Sequence, residues 1–119
     1  MATRYKLLNA DQTSHGETLW AVGEWLETSG VGSLCGPGWL HCYGSPEVAE
    51  FMNPRHGNFP PDAVLWEVEV DGESQLDGQL KEGWTRMRVV KEHPRFSLTR
   101  EQRVEIAIRL AAKVNGIEL

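Results

Sequence analysis

No stretch of this 119-residue chain approaches the roughly 18 consecutive apolar residues that a membrane-spanning helix requires. The opening run Met1-Ala2-Thr3-Arg4-Tyr5-Lys6 has no apolar segment after its positive charges, which predicts a chain without a secretory leader that stays in the cytoplasm. Cysteine is scarce: Cys35 and Cys42 are the only two. In a reducing compartment this predicts two free thiols rather than a disulfide framework. Basic residues are also few. Twelve Lys and Arg against seventeen Asp and Glu leave a formal charge of −5, the reverse of what holding a phosphate backbone demands. Neither nucleic acid nor a membrane is expected as a partner, and the carboxylates are too scattered to mimic a nucleic acid. Internal repeats, low-complexity tracts and linkers are missing as well, so residues 1–119 read as one domain with one core.

Turn chemistry cuts the chain into about seven pieces. Residues 4–9 read as a strand built on Tyr5, Leu7 and Leu8, and residues 11–16 as a turn. Residues 18–27 carry Leu19, Trp20, Val22, Trp25 and Leu26, a composition that favours a strand with a bend at Gly23, although a helical period also fits. A glycine-rich connection over 28–38 leads to a strand over 39–43. Ser45-Pro46-Glu47 then opens a helix, with Ser45 as N-cap, Pro46 in the first helical position and Glu47 complementing the dipole. Val48, Ala49, Phe51 and Met52 are its expected buried face, and Asn53-Pro54 its stop.

After a loop over 55–62 comes the clearest strand, 63–70. Val64, Trp66, Val68 and Val70 alternate with Leu65, Glu67 and Glu69, which places the first set on a core face. Asp71-Gly72 is expected to turn the chain, residues 74–83 to be irregular, and 84–91 to form another strand with Met87 and Val89 inward. The last element is a helix with Thr99 as N-cap, Gln102 completing a capping box, and Gly116 as its stop. Val104, Ile108 and Ala111 are expected to pack against the 63–70 strand. The fold class is α+β: a small, mostly antiparallel sheet with one short central helix and a C-terminal helix packed on it.

The segment from Leu34 to Pro46 concentrates the unusual chemistry. Alternation sends Trp39, His41 and Tyr43 to one face and Leu40 and Cys42 to the other. An imidazole flanked by aromatic rings beside a helix start suits recognition of an anion or a nucleotide-like ligand, so Trp39, His41, Tyr43 and Ser45 form the candidate binding site. The bland reading is that the same side chains only cement the strand to the sheet. A metal site would draw on Cys35, His41, Cys42 and His56, but their spacing matches no zinc pattern, and neither metal nor cofactor is expected. A cysteine–histidine dyad is disfavoured because His41 and Cys42 are neighbours on opposite strand faces. Glu67 and Glu69, with Arg86 and Arg88 in the same pattern nearby, are expected to form cross-strand ion pairs rather than an acid–base site. The five tryptophans, at 20, 25, 39, 66 and 84, are expected to be mostly core.

Two resemblances attach to these motifs. Cys35-Gly36-Pro37-Gly38-Trp39-Leu40-His41-Cys42-Tyr43, followed by Pro46, Ala49 and Leu65-Trp66-Glu67-Val68-Glu69-Val70-Asp71-Gly72-Glu73, resembles a group of small bacteriophage and bacterial proteins of unassigned function. Their shared features are a Cys…Gly-Leu-His strand, a helix and a Glu-Val-Glu-x-Gly-Glu strand; here Trp39 stands before Leu40-His41 in place of the glycine. This resemblance implies a phage-type accessory protein that binds a host protein or a small ligand, antagonism of host defence being one such role. Residues 38–51 are also similar to ADP-ribosyltransferase-like folds, which implies the alternative of a small nucleotide-transferring enzyme with its site around His41. An enclosed cleft bounded by Trp39, His41 and Tyr43 would favour the enzyme, and a flat aromatic patch the binder.

Overall fold

A computed structural model describes residues 2–14, 17–53, 59–77 and 81–118. The elements are β1 (Ala2–Leu8), β2 (Thr13–Ser14), β3 (Thr18–Leu19), β4 (Leu26–Glu27), β5 (Leu40–Cys42), α1 (Pro46–Met52), β6 (Val64–Asp77), β7 (Lys81–His93) and α2 (Arg100–Val114). Every strand pairing is antiparallel, and the class is α+β as the patterning predicts.

The spine is the long β6–β7 pair. It overturns two expectations, since Asp71-Gly72 does not turn the chain and residues 74–77 and 81–83 are paired rather than irregular. Instead the ladder absorbs an irregularity between Asp71 and Ser74. Gly72 sits there at φ +84°, in the left-handed region that glycine enters without steric cost, and the Glu73 amide donates to Thr85 Oγ1 at 2.9 Å. A bulge thus bends the strand where turn chemistry alone suggested a hairpin.

β1 pairs with one edge of β6 along its whole length. The free edge of β7 takes β5, through Leu40↔Trp84, and β4, through Leu26↔Met87. Just past β5, Tyr43 returns to β1: Tyr5 and Tyr43 exchange both backbone hydrogen bonds at 2.9 Å. The sheet therefore curls almost into a barrel, β1-β6-β7-β5, closed at a single bridge. Inside lie Leu8, Trp20, Leu40, Cys42, Trp66, Val68, Val70, Met87 and Val89. A second core on the other face joins Leu7, Ala49, Ala63 and Leu65 beneath α1. Val64, Trp66, Val68 and Val70 face the interior as expected, but Leu65 is fully buried on the α1 side rather than sharing a solvated face with Glu67 and Glu69.

Residues 18–27 do not form one strand. β3 and β4 are its two ends, and the chain between them drops Trp20 into the barrel. Gln12 holds this tryptophan, its side chain donating to the Trp20 carbonyl at 2.7 Å while the Trp20 amide donates to the Gln12 carbonyl at 2.9 Å; the indole N–H donates to Ser14 Oγ at 3.0 Å.

Both helix starts follow the predicted caps. Ser45 Oγ accepts from the Val48 amide at 3.1 Å, and Thr99 and Gln102 form both halves of the capping box. Pro54 lies outside the described residues. Ala49 and Met52 are buried as expected, whereas Val48 and Phe51 are half-buried and Glu50 is buried. Arg95 accounts for Glu50: its Nε and Nη2 reach the two carboxylate oxygens at 3.0 and 2.8 Å, and its Nη1 donates to the carbonyls of Pro61 and Ala63. The segment leading to α2 is fastened by this clamp. α2 itself packs chiefly against α1, and Val104 and Ile108 stay about half exposed, at 52% and 54%. The expected packing of Val104, Ile108 and Ala111 on the 63–70 strand is thus not observed, because the apolar face of that strand is already covered by the curl of the sheet and by Trp20.

Candidate functional site

The near-closure of the barrel leaves a seam. Along β1 the ladder on the β5 side stops at Tyr5 among the described residues, and β5 diverges to stay on β7. A cleft of about 570 Å³ opens there, within the usual size range of small-ligand sites. Lys6, Trp20, Thr28, Trp39, His41, Tyr43 and Lys81 are among the residues lining it.

The 28–39 connection forms one wall. It folds back tightly, the Gly30 amide donating to the Gly38 carbonyl at 2.8 Å and the Trp39 indole to the Gly32 carbonyl at 3.1 Å. Gly38 is required by this approach, since a Cβ there would lie 2.1 Å from the Val31 carbonyl oxygen. Three of the four residues singled out in the sequence meet at the cleft: Trp39, His41 and Tyr43. Leu40 and Cys42 turn into the core, as alternation predicts. Ser45 caps α1 and is not among the lining residues.

His41 is committed to the local architecture, with its Nε2 hydrogen-bonded to the Leu34 carbonyl. Burial pushes the Tyr43 phenol up to about 12, so it stays protonated through the neutral range. Cys42 is a buried free thiol held above its ordinary value by desolvation, with Glu82 adding to the effect; it is not poised as a nucleophile. Cys35 is an exposed free thiol at the cleft, 3.9 Å from Lys81 Nζ. Among the described residues no group of three His, Cys, Asp or Glu side chains is placed to hold a metal, and His56 lies outside them.

Lys6 is the residue that reading the sequence missed. A lysine in an alternating strand ordinarily reads as solvated, yet Lys6 is only 9% exposed. Its ammonium crosses the seam to donate to the His41 carbonyl at 2.7 Å and lies 5.4 Å from the centre of the Trp20 ring. Among the described residues no carboxylate pairs with it. Burial, more than anything else, pushes its pKa from 10.5 down to about 8; Cys42 opposes that shift and the positive Lys81 adds to it. Two lysines therefore sense each other across one cleft. Glu27 is the only carboxylate lining it among the described residues, and that side chain is ion-paired with Arg86 at 2.9 Å. Thr28 Oγ1 is buried with no hydrogen-bond partner among the described residues.

No family model, curated protein or solved structure matches the chain. The two resemblances therefore rest on the motifs quoted above.

Elsewhere the charged strand positions form the ladder expected of them, with a change of partners. Arg88 reaches Glu69 at 2.7 Å, but Glu67 pairs with Lys91 at 3.5 Å, and Arg86 with Asp71 and Glu27. The register irregularity between Glu67 and Val68 sets Glu67 opposite Lys91. Trp25 lies over both guanidiniums, 4.3 Å from that of Arg86 and 4.7 Å from that of Arg88. This surface is a set of paired charges with an aromatic lid, and its groups are occupied with one another. No helix among the described residues is long and apolar enough to cross a membrane.

Proposed function

We propose that the chain is a binding domain for a small anionic ligand, taken into the seam cleft with its anionic group against Lys6 and Lys81 and its body against Trp39 and Trp20. The observation that carries this is the Lys6 ammonium, buried with no carboxylate partner among the described residues, in a cleft that a second lysine also lines. An uncompensated buried charge is costly, and an anion from solution would offset that cost. A concave apolar wall with a few convergent polar groups is the usual form of such a site. The phage-type accessory setting drawn from the motif resemblance accords with a module that sequesters a small molecule in the cytoplasm of a host cell.

A second reading is the nucleotide-transferring enzyme with its site around His41, since the cleft is concave and Trp39, His41 and Tyr43 all line it. Under it Glu27, the carboxylate at the cleft, would have to leave Arg86 to act on a substrate.

The test uses 1-anilinonaphthalene-8-sulfonate, an anionic aromatic probe. Wild-type protein should bind it in competition with inorganic phosphate, and Lys6→Met should weaken binding about tenfold, as loss of one charge-assisted contact implies. Equal binding by wild type and Lys6→Met would falsify the assignment. For the second reading, release of nicotinamide from NAD by wild-type protein that Glu27→Gln abolishes would replace binding with catalysis.

A further inference from the structure

We propose that Lys6 is a covalent attachment point: its side-chain amine condenses with the carbonyl group of a short oxo-acid whose carboxylate pairs with Lys81. This rests on the cleft being a ligand site and names the ligand class.

Three features converge. The amine lies inside a cleft against the Trp20 ring, away from any acidic partner among the described residues, which is how proteins desolvate a lysine for nucleophilic work. The His41 carbonyl accepts one N–H, a contact that a neutral amine keeps while its lone pair stays available. Lys81 lines the same cleft near enough to be felt electrostatically, so a carboxylate one or two bonds from the carbonyl has a cation to meet. With a pKa of about 8, roughly a tenth of Lys6 is neutral at pH 7, far more than for an exposed lysine.

The step balances without a co-reactant. The Lys6 nitrogen attacks the carbonyl carbon and a C–N bond forms. The two protons lost by nitrogen pass to the former carbonyl oxygen, which leaves as water, and an imine remains. No electron changes hands.

The experiment is reductive trapping. Wild-type protein is incubated with glyoxylate and cyanoborohydride at neutral pH, and the modified lysines are mapped by peptide mass spectrometry. Lys6 should acquire the carboxymethyl group faster than Lys91 and Lys113, which are exposed. Lys81→Met should slow glyoxylate labelling of Lys6 about tenfold, the worth of one charged contact, and slow labelling by propionaldehyde much less, only through the smaller neutral fraction left when Lys81 no longer depresses the Lys6 pKa. An unlabelled Lys6 beside labelled Lys91 and Lys113 would overturn the proposal, and an unchanged rate in Lys81→Met would overturn the oxo-acid assignment. Lys6→Arg removes the condensing amine and should give no adduct at position 6 while Lys91 and Lys113 are still labelled. Probe binding by wild type with no Lys6 adduct sinks the covalent step alone, while failure of wild type to bind the probe sinks the cleft reading itself.

Discussion

Replacing Lys6 with methionine should make the protein more stable at neutral pH, although it deletes a hydrogen bond. The folded pKa of about 8 against an ordinary 10.5 corresponds to about 3 kcal/mol by which folding disfavours the charged form. The sign follows from proton counting. Between pH 8 and 10.5 the unfolded chain holds more protons at this lysine than the folded one, so unfolding free energy rises with pH across that window. Below pH 8 the whole penalty is in force. Lys6→Met removes it and loses the contact to the His41 carbonyl, about 1 kcal/mol, and the cation–π contact with Trp20, about 1 kcal/mol more. The remainder is a gain of about 1 kcal/mol at pH 7 that shrinks and reverses by pH 9.5. Urea unfolding of both proteins at pH 7, 8 and 9.5 reads it directly. The series stays below pH 10 because the Tyr43 phenol, raised to about 12, costs stability as pH climbs from 10 towards that value. A wild-type stability that is flat from pH 7.5 to 9.5, with Lys6→Met the weaker protein at pH 7, would refute the reasoning and show Lys6 to be a satisfied structural cation.

Trp66→Ala should cost about 3–5 kcal/mol in chemical denaturation, since the indole is 5% exposed inside the barrel; a loss below about 1 kcal/mol would contradict its place in the core. Arg95→Ala strands the buried Glu50 carboxylate and releases two loop carbonyls, for a loss of about 2–3 kcal/mol, kept below the fully buried range because Arg95 is partly exposed. Hydrogen exchange in that variant should speed up in α2 more than in β6 and β7, and unchanged α2 protection would argue against the clamp.

Local chemistry was legible where a few neighbouring residues decide the outcome. Ser45 and Thr99 cap their helices because a side-chain oxygen three residues before a free amide needs nothing from the rest of the chain. The alternation of Val64, Trp66, Val68 and Val70 likewise names an inner face wherever the strand is placed. Gly72 shows the boundary of such inference. Asp71-Gly72 is good turn chemistry, but the same left-handed glycine also serves a bulge, and the partner strand decides between them.

The sequence by itself determined the α+β class, the caps, the inward side of the central strands and the meeting of Trp39, His41 and Tyr43. Only the tertiary structure decided that the sheet curls until Tyr43 meets Tyr5, and everything of functional interest follows from that closure. It leaves a seam, and the seam turns Lys6 from a strand lysine expected in water into a buried cation facing Lys81. The curl also covers the face that α2 was expected to cover, so Val104 and Ile108 remain outside. The physical reason is range. Caps and alternation depend on residues within a few positions, whereas burial of a charge depends on which distant strands close over it, as with Lys6 and the His41 carbonyl 35 positions away.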